Sequence, residues 1–320
     1  MKKLFFFSVL NFILFSLSAQ DQLISGFSSS TLSINPATTG TFGNYNLRVF
    51  SGFDWNSYSG LFSEKTMSLS ADKTIIKGRL GVGGILSYQF GDDIIKSNGA
   101  LFSTAYNRGF LKDNYTFSVG IQGGIMQKSI DWDRLYFSDQ LSPNSGGVIY
   151  DTLGSPKEHI LYSDFNLGAL VFRNSDKSKI LPWIGFSVSH LFQPNVSFLS
   201  LSSPLARKLT IHAGVDIPVN ENIILTPLLL YTSQDYFKVL DLGCSAKYQK
   251  GRFSASLGGV YKNMLYDFFK NQQISILGEL GYAGFEIRME MKVIELNDLK
   301  QLDYSRGMIG LSWNLRKGKN

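Results

Sequence analysis

The sequence predicts an all-β fold: a transmembrane outer-membrane β-barrel of about 14 antiparallel strands, with both termini on the periplasmic side. Three observations carry this. Apolar residues alternate with polar ones over segments of about 9 to 13 residues, separated by turn residues. The candidate strands come to an even number, which brings both chain ends to one side of a barrel. Tight links alternate with longer ones, as periplasmic turns alternate with surface loops.

Taken in order, the candidate strands lie near 45–54, 65–76, 79–91, 98–109, 114–128, 163–173, 180–192, 207–217, 222–232, 236–249, 251–262, 272–281, 285–295 and 305–316. In the third, Leu80, Val82, Leu86, Tyr88 and Phe90 alternate with Arg79, Gly81, Gly83, Ser87 and Gln89. In the fifth, Tyr115, Phe117, Val119, Ile121 and Ile125 alternate with Thr116, Ser118, Gly120, Gln122 and Gly124. In the eighth, Leu209, Ile211, Ala213, Val215 and Ile217 stand against Lys208, Thr210, His212 and Asp216.

The thirteenth is the most informative. Phe285, Ile287, Met289, Met291 and Val293 alternate with Glu286, Arg288, Glu290 and Lys292. Four successive charges of mixed sign on one face fit a polar lumen, or a soluble sheet with one wet face. Length decides between them. A tilted strand needs roughly 9 to 11 residues to cross the hydrocarbon, against about 5 to 6 in a soluble sheet.

The tight links are Lys77-Gly78, Phe110 to Asp113, Asn174 to Lys179, Pro218 to Glu221, Lys250, and Tyr282 to Gly284. Between them the connections are mostly longer, 129–162 and 193–206 being the largest, although Thr232 to Asp235 is short on the long-loop side. Aromatics gather near strand ends as interfacial girdles would: Tyr88 and Phe90, Tyr115 and Phe117, Tyr231, Tyr248, Tyr261 and Trp313.

Composition bounds the function. The 320 residues carry 31 Lys+Arg against 25 Asp+Glu, and two of the lysines, Lys2 and Lys3, begin a leader-like segment. That leaves 29 against 25 with no basic run, so nucleic acid is not an expected partner. Charged residues are 18%, below the roughly 25% of soluble domains, and mean hydropathy is zero. Residues 1–19 read as a signal peptide: Lys2-Lys3, the apolar stretch Leu4 to Leu17, then small residues before Gln20. Residues 20–43 read as a periplasmic or plug segment, and residues 44–320 as the barrel. The single cysteine, Cys244, falls on an apolar face with Leu240, Leu242 and Ala246, where it serves as a small hydrophobe.

Within the N-terminal segment, Asn35, Pro36 and Gly40 have distinct meanings. Asn caps a helix start, Pro suits the first helical position, and Gly suits the position after the last turn. The segment is a short turn leading into the first strand, or a plug inside the barrel mouth. Gly81-Val82-Gly83-Gly84 lacks the spacing of a phosphate-binding loop, and inward glycines there leave room in the lumen.

Nothing in the sequence asks for catalysis, a cofactor or a metal. His159, His190 and His212 share no metal-site spacing, and G-x-S-x-G and H-E-x-x-H are absent. His212 reads as a solvated lumen residue and His159 as an exposed loop residue. Trp132, Arg134 and Tyr136, with Gln193, Pro194 and Asn195, lie in or beside the longest loops and are the candidate partner contacts.

At this level the chain resembles the PorP/SprF outer-membrane proteins of the Bacteroidetes type IX secretion system. The resemblance rests on Asn35-Pro36-Ala37 with Gly40, Arg48 and Trp55, Phe137-Ser138-Asp139-Gln140, and Asp164-Phe165-Asn166-Leu167-Gly168. Its most specific stretch is Gly185-Phe186-Ser187-Val188-Ser189-His190-Leu191-Phe192-Gln193-Pro194-Asn195, followed by Ala213-Gly214 and Thr226-Pro227. What the resemblance implies is a non-enzymatic barrel serving protein secretion, surface attachment or gliding motility. Its implied partners are a secreted surface protein or adhesin, periplasmic ring components of the secretion system, and outer-membrane lipid. The alternative is a transport channel resembling the fatty-acid transporters, which an apolar lumen pocket would favour.

Overall fold

Among the described residues, fourteen antiparallel strands form a closed barrel in which each strand pairs with its neighbours in sequence and β1 closes against β14. The structure, a computed structural model, describes residues 30–41, 45–58, 62–76, 78–91, 94–134, 157–174, 180–199, 202–265, 270–297 and 304–316. The leader-like residues 1–19, and Tyr136 with Phe137 to Gln140, lie outside them.

The strands are β1 (Tyr45–Tyr58), β2 (Phe62–Ile75), β3 (Leu80–Gly91), β4 (Ile95–Phe110), β5 (Tyr115–Ile130), β6 (His159–Arg173) and β7 (Leu181–Ser189). They continue as β8 (Lys208–Pro218), β9 (Ile223–Gln234), β10 (Phe237–Lys250), β11 (Phe253–Leu265), β12 (Lys270–Tyr282), β13 (Phe285–Asn297) and β14 (Tyr304–Arg316). Each falls on a segment that the alternation picks out. One tight link is displaced: β10 runs through Lys250, and the turn is Gly251-Arg252. Gly251 there has φ +60°, a backbone region that costs glycine nothing. The β12–β13 turn carries positive φ at both Ala283 and Gly284, 52° and 97°, which lets a two-residue hairpin follow the strand twist. Asp235-Tyr236 is the short link on the long-loop side.

Alternation sorts the side chains. Phe102, Tyr106, Leu167, Leu257, Ile287 and Leu311 face outward and are exposed, forming the apolar belt that lipid covers. Cys244 is exposed on this face as well. Near the tight-turn end, Phe110 stacks on Tyr115 and Phe285 on Trp313, at centroid separations of 5.7 and 5.4 Å. Tyr88 and Phe90 mark the opposite end. Inward-facing residues are largely polar and buried, among them Ser70, Asp72, Ser118, Gln122, Asn166, Ser187 and His212, with Val260, Met264 and Met308 as apolar exceptions. The barrel's core is therefore its lumen, and a short N-terminal insert fills part of it.

Candidate functional site

The insert begins with a single helical turn, α1 (Thr31–Ile34), and continues as a 3-10 turn over Pro36–Thr38. Asn35 joins them. Its Oδ1 accepts the Ala37 N–H at 2.8 Å, and Pro36 occupies the first position of the 3-10 turn, where a missing N–H is no loss. The Asn35 side chain thereby caps the turn and also faces the barrel wall. Its Nδ2 donates toward the Ala169 and Phe186 carbonyls, at 3.0 and 3.2 Å, and meets His212 Nε2 at 2.9 Å.

Wall side chains complete the docking. Ser118 Oγ donates to the Ala37 carbonyl and Ser187 Oγ to the Ile34 carbonyl, each at 2.6 Å. The Gly40 N–H donates to Asp72 Oδ2 at 2.8 Å, and Thr74 Oγ1 to the Gly40 carbonyl at 2.6 Å. Thr39 Oγ1 donates to Ser103 Oγ at 3.0 Å, and Ser30 and Ser70 share a hydrogen bond of 2.6 Å. These contacts come from β2, β4, β5, β6, β7 and β8. Each satisfies a buried polar group that would otherwise cost about 1–3 kcal/mol.

Close approach requires glycine at particular places on the wall. A Cβ at Gly120 would overlap the Pro36 carbonyl, one at Gly168 the Asn35 amide, one at Gly185 the His212 ring, and one at Gly81 the Thr39 carbonyl. Gly120 and Gly168 are register partners, and Gly168 also pairs with Ser187. A row of small residues across three strands thus forms the seat for Asn35-Pro36. His212 is not the solvated lumen residue that its polar neighbours suggest. It is buried, because the insert covers it. Nothing local marks Gly120, Gly168 or Gly185, since the Asn35-Pro36 step that all three approach lies more than eighty residues away.

The opposite side of the lumen carries charge. Glu279 and Glu286 bridge Lys247 and Arg288: Lys247 Nζ lies 2.7 and 3.3 Å from the two carboxylates, and Arg288 2.9 and 3.1 Å. Ser312 Oγ adds a hydrogen bond to Glu286 at 3.2 Å. Lys262 and Asp241, opposite one another on β11 and β10, form a buried pair at 2.9 Å. The alternating charges of β13 are in part neutralised by their neighbours, as a filled lumen requires.

At the extracellular mouth, the segment after β7 folds inward. His190 is buried, with φ +57°; its Nδ1 lies 2.9 Å from Asp164 Oδ1 and its N–H donates to Asn166 Oδ1 at 3.1 Å. Asn166 Nδ2 in turn donates to Gln122 Oε1 at 2.8 Å. Val196 and Leu205 then bury against Ile160 and Tyr162 on the inner face of β6. Of the candidate contacts, Trp132 meets Phe198 edge-on at 6.4 Å and donates from Nε1 to the Lys157 carbonyl at 3.1 Å, so it ties the two long loops together. Arg134 is exposed and pairs with Asp131 at 3.3 Å. Asn195 Oδ1 accepts the Ser197 and Ser203 N–H groups, and the Pro194 carbonyl accepts that of Leu205, so both shape their own loop. Gln193 is exposed at positive φ. His159 is exposed, as its loop-end position suggests. The structure keeps Asn195 occupied with its own loop and leaves Arg134 and Gln193 on the surface.

His190→Ala leaves Asp164 buried without its nearest partner. Proteolysis within 190–207 on intact cells is expected to accelerate about tenfold, as local opening becomes easier. A wild-type cleavage rate would show that this contact does not hold the loop.

A cavity of about 330 Å³ lies between the insert and β6 to β9, lined by Ile34, Leu170, Phe172, Trp183, Leu228 and Leu230 with His212 and Asp216 among them. It is a mainly apolar pocket within a largely polar lumen.

No functionally curated protein matches the chain. Among solved structures, the CymD monoaromatic hydrocarbon channel superposes at a TM-score of 0.55, with 10% identity over 93% of this chain and 95% of its own. The toluene transporter TbuX of Ralstonia pickettii superposes at 0.54, with 11% identity over 90% and 93%. A TodX monoaromatic hydrocarbon channel variant superposes at 0.55, with 11% identity over 94% and 96%. Identities this low establish the outer-membrane barrel fold alone. The sequence family described as type IX secretion system membrane protein PorP/SprF matches residues 16–308, nearly the whole chain. With that match on the barrel just described, this chain belongs to the PorP/SprF family of type IX secretion system membrane proteins and resides in the outer membrane.

Proposed function

We propose that this barrel works without catalysis, docking or tethering a secreted surface protein at its extracellular loops while its periplasmic turns contact the secretion machinery. Residues 1–19 would direct export and be removed. The single observation that supports a scaffold over a pore is the insert, anchored to six strands across a wall notched to receive it. A lumen filled in this way suits rigidity. In gliding members of such a system the tethered client would be an adhesin, and the periplasmic contacts would be ring components.

Purification from outer membranes in mild detergent tests this reading. A large exported protein, or periplasmic ring lipoproteins, should remain bound in stoichiometric amount, and planar-bilayer recording of the barrel should give no steady conductance. Porin-like steady conductance from the wild-type barrel would remove the scaffold reading.

The apolar cavity favours a second reading, in which the barrel passes or holds a hydrophobic solute, and the relatives in fold are named as hydrocarbon channels. A barrel that carries only lipid or fatty acid, with no protein partner, would support it.

A further inference from the structure

The barrel wall is uneven between β6 and β7. β6 has 15 residues and pairs along its whole length with β5, from Ser129↔His159 to Tyr115↔Arg173. β7 has 9 residues, and its pairing with β6 spans only Leu167 to Phe172. Beyond that point the chain leaves the wall at His190 and turns into the mouth.

Strand geometry says which backbone groups this leaves open. In an antiparallel strand, successive residues direct N–H and C=O to opposite sides. The Glu158 carbonyl accepts from Ile130, on the β5 side. The Phe165 carbonyl accepts from Leu191 and the Lys157 N–H donates to the Phe198 carbonyl, both on the β7 side. His159, Leu161 and Ser163 share the parity of Lys157 and Phe165. Among the described residues, their β7-side N–H and C=O groups meet no backbone partner. All three residues are exposed, Leu161 to 70%. Among the described residues, the chain's own loop bonds this edge at either end and makes no backbone bond to its middle.

Height matters as well. About 10 residues of a tilted strand cross the hydrocarbon. Counted from Arg173 at the tight-turn end, β6 therefore overshoots by roughly five residues. The open stretch is those five, on the extracellular side, where unpaired backbone is tolerated.

We infer that the β6 edge at His159–Ser163 receives an extended segment of the exported partner by strand addition. This inference rests on the docking reading above and specifies its mode. Three donors and three acceptors in a row, spaced as a strand, match another polypeptide backbone, and neither a lipid nor a small solute offers that pattern. Leu161 offers an outward apolar side chain at the middle of this edge, and farther along β6 Phe165 meets Phe192 edge-on at 5.4 Å, where the chain's own wall resumes.

Leu161→Pro removes the edge N–H without touching the β5 ladder, whereas Leu161→Ala keeps the backbone and removes the side chain. The readout is the amount of exported protein that co-purifies with the full-length barrel, with trypsin resistance of the barrel reporting its folding. Leu161→Pro should lower that amount by about tenfold, through the lost edge bonds, and Leu161→Ala by less. In parallel, a photo-crosslinking amino acid at position 161 or 163 should join one contiguous stretch of the exported protein, and this decides the matter if Leu161→Pro fails to fold. If the wild-type barrel carries an exported protein that Leu161→Pro retains in full and neither position crosslinks, the docking reading stands and strand addition falls. Crosslinks into residues 135–156 of the same chain, or into a second copy of the barrel, also overturn it. A wild-type barrel with no exported partner removes both readings.

Discussion

Gly168→Val should expel the N-terminal insert and raise the barrel's conductance above that of the wild type. The Cβ at this position would occupy the space of the Asn35 side-chain amide. The β6 backbone cannot retreat, because Gly168 is registered against Gly120 on β5 and Ser187 on β7 at once. The insert has to move instead, and with it go the Asn35 contacts to Ala169, Phe186 and His212. Valine itself suits a strand, so the barrel should still fold. Bilayer recording should show steady openings absent from the wild type, and amide exchange of residues 30–41 should become fast. Asn35→Ala is the milder companion. It leaves acceptors unmet at about 1–3 kcal/mol each, so the insert should stay in place yet exchange faster. If Gly168→Val keeps both wild-type conductance and wild-type protection, the insert is not seated as described.

Lys262→Met should be the most destabilising single change in the barrel's charged half, by about 3–5 kcal/mol. Both members of the Lys262–Asp241 pair are almost fully buried, at 4% and 3% side-chain exposure, and removing the ammonium abandons a carboxylate in the wall. Among the described residues, Asp241 Oδ1 already lacks a hydrogen-bond partner, so the pair is incompletely compensated even when intact. The double variant Asp241→Leu/Lys262→Met should accordingly recover most of the loss, or exceed the wild type, because two directly opposed apolar side chains fill the same cross-strand space. Denaturant unfolding in lipid vesicles, followed by loss of the compact barrel's gel mobility, measures both. Equal stability of Lys262→Met and wild type would mean that the carboxylate reaches water.

Each of these sites combines something local with something distant. The period-two run of Phe285 to Val293 is local, and it alone announces a wall with one apolar and one charged face. Gly120, Gly168 and Gly185 look local too, as loosely packed strand glycines. Their meaning comes from Asn35 and Pro36, which reach them only after the sheet has closed. The same holds for His212, which reads as solvated until the insert lies over it, and for His190, whose partners Asp164 and Asn166 sit on another strand. In the family-like stretch from Gly185 to Asn195, the residues that turn the loop inward are recognisable by pattern. That they cap the mouth is not.

By itself the sequence determined the strands, their order, the apolar outer face and the alternation of short and long links. All follow from nearest-neighbour properties: side chains that alternate every residue, turn residues that set φ, and a hydrocarbon thickness that sets strand length. Tertiary structure alone decided where the N-terminal turn resides, which lumen polar groups pair, and that β6 outruns its ladder with β7. Those depend on barrel closure, which brings residues over a hundred positions apart within hydrogen-bond reach, and no local period records which of them will meet.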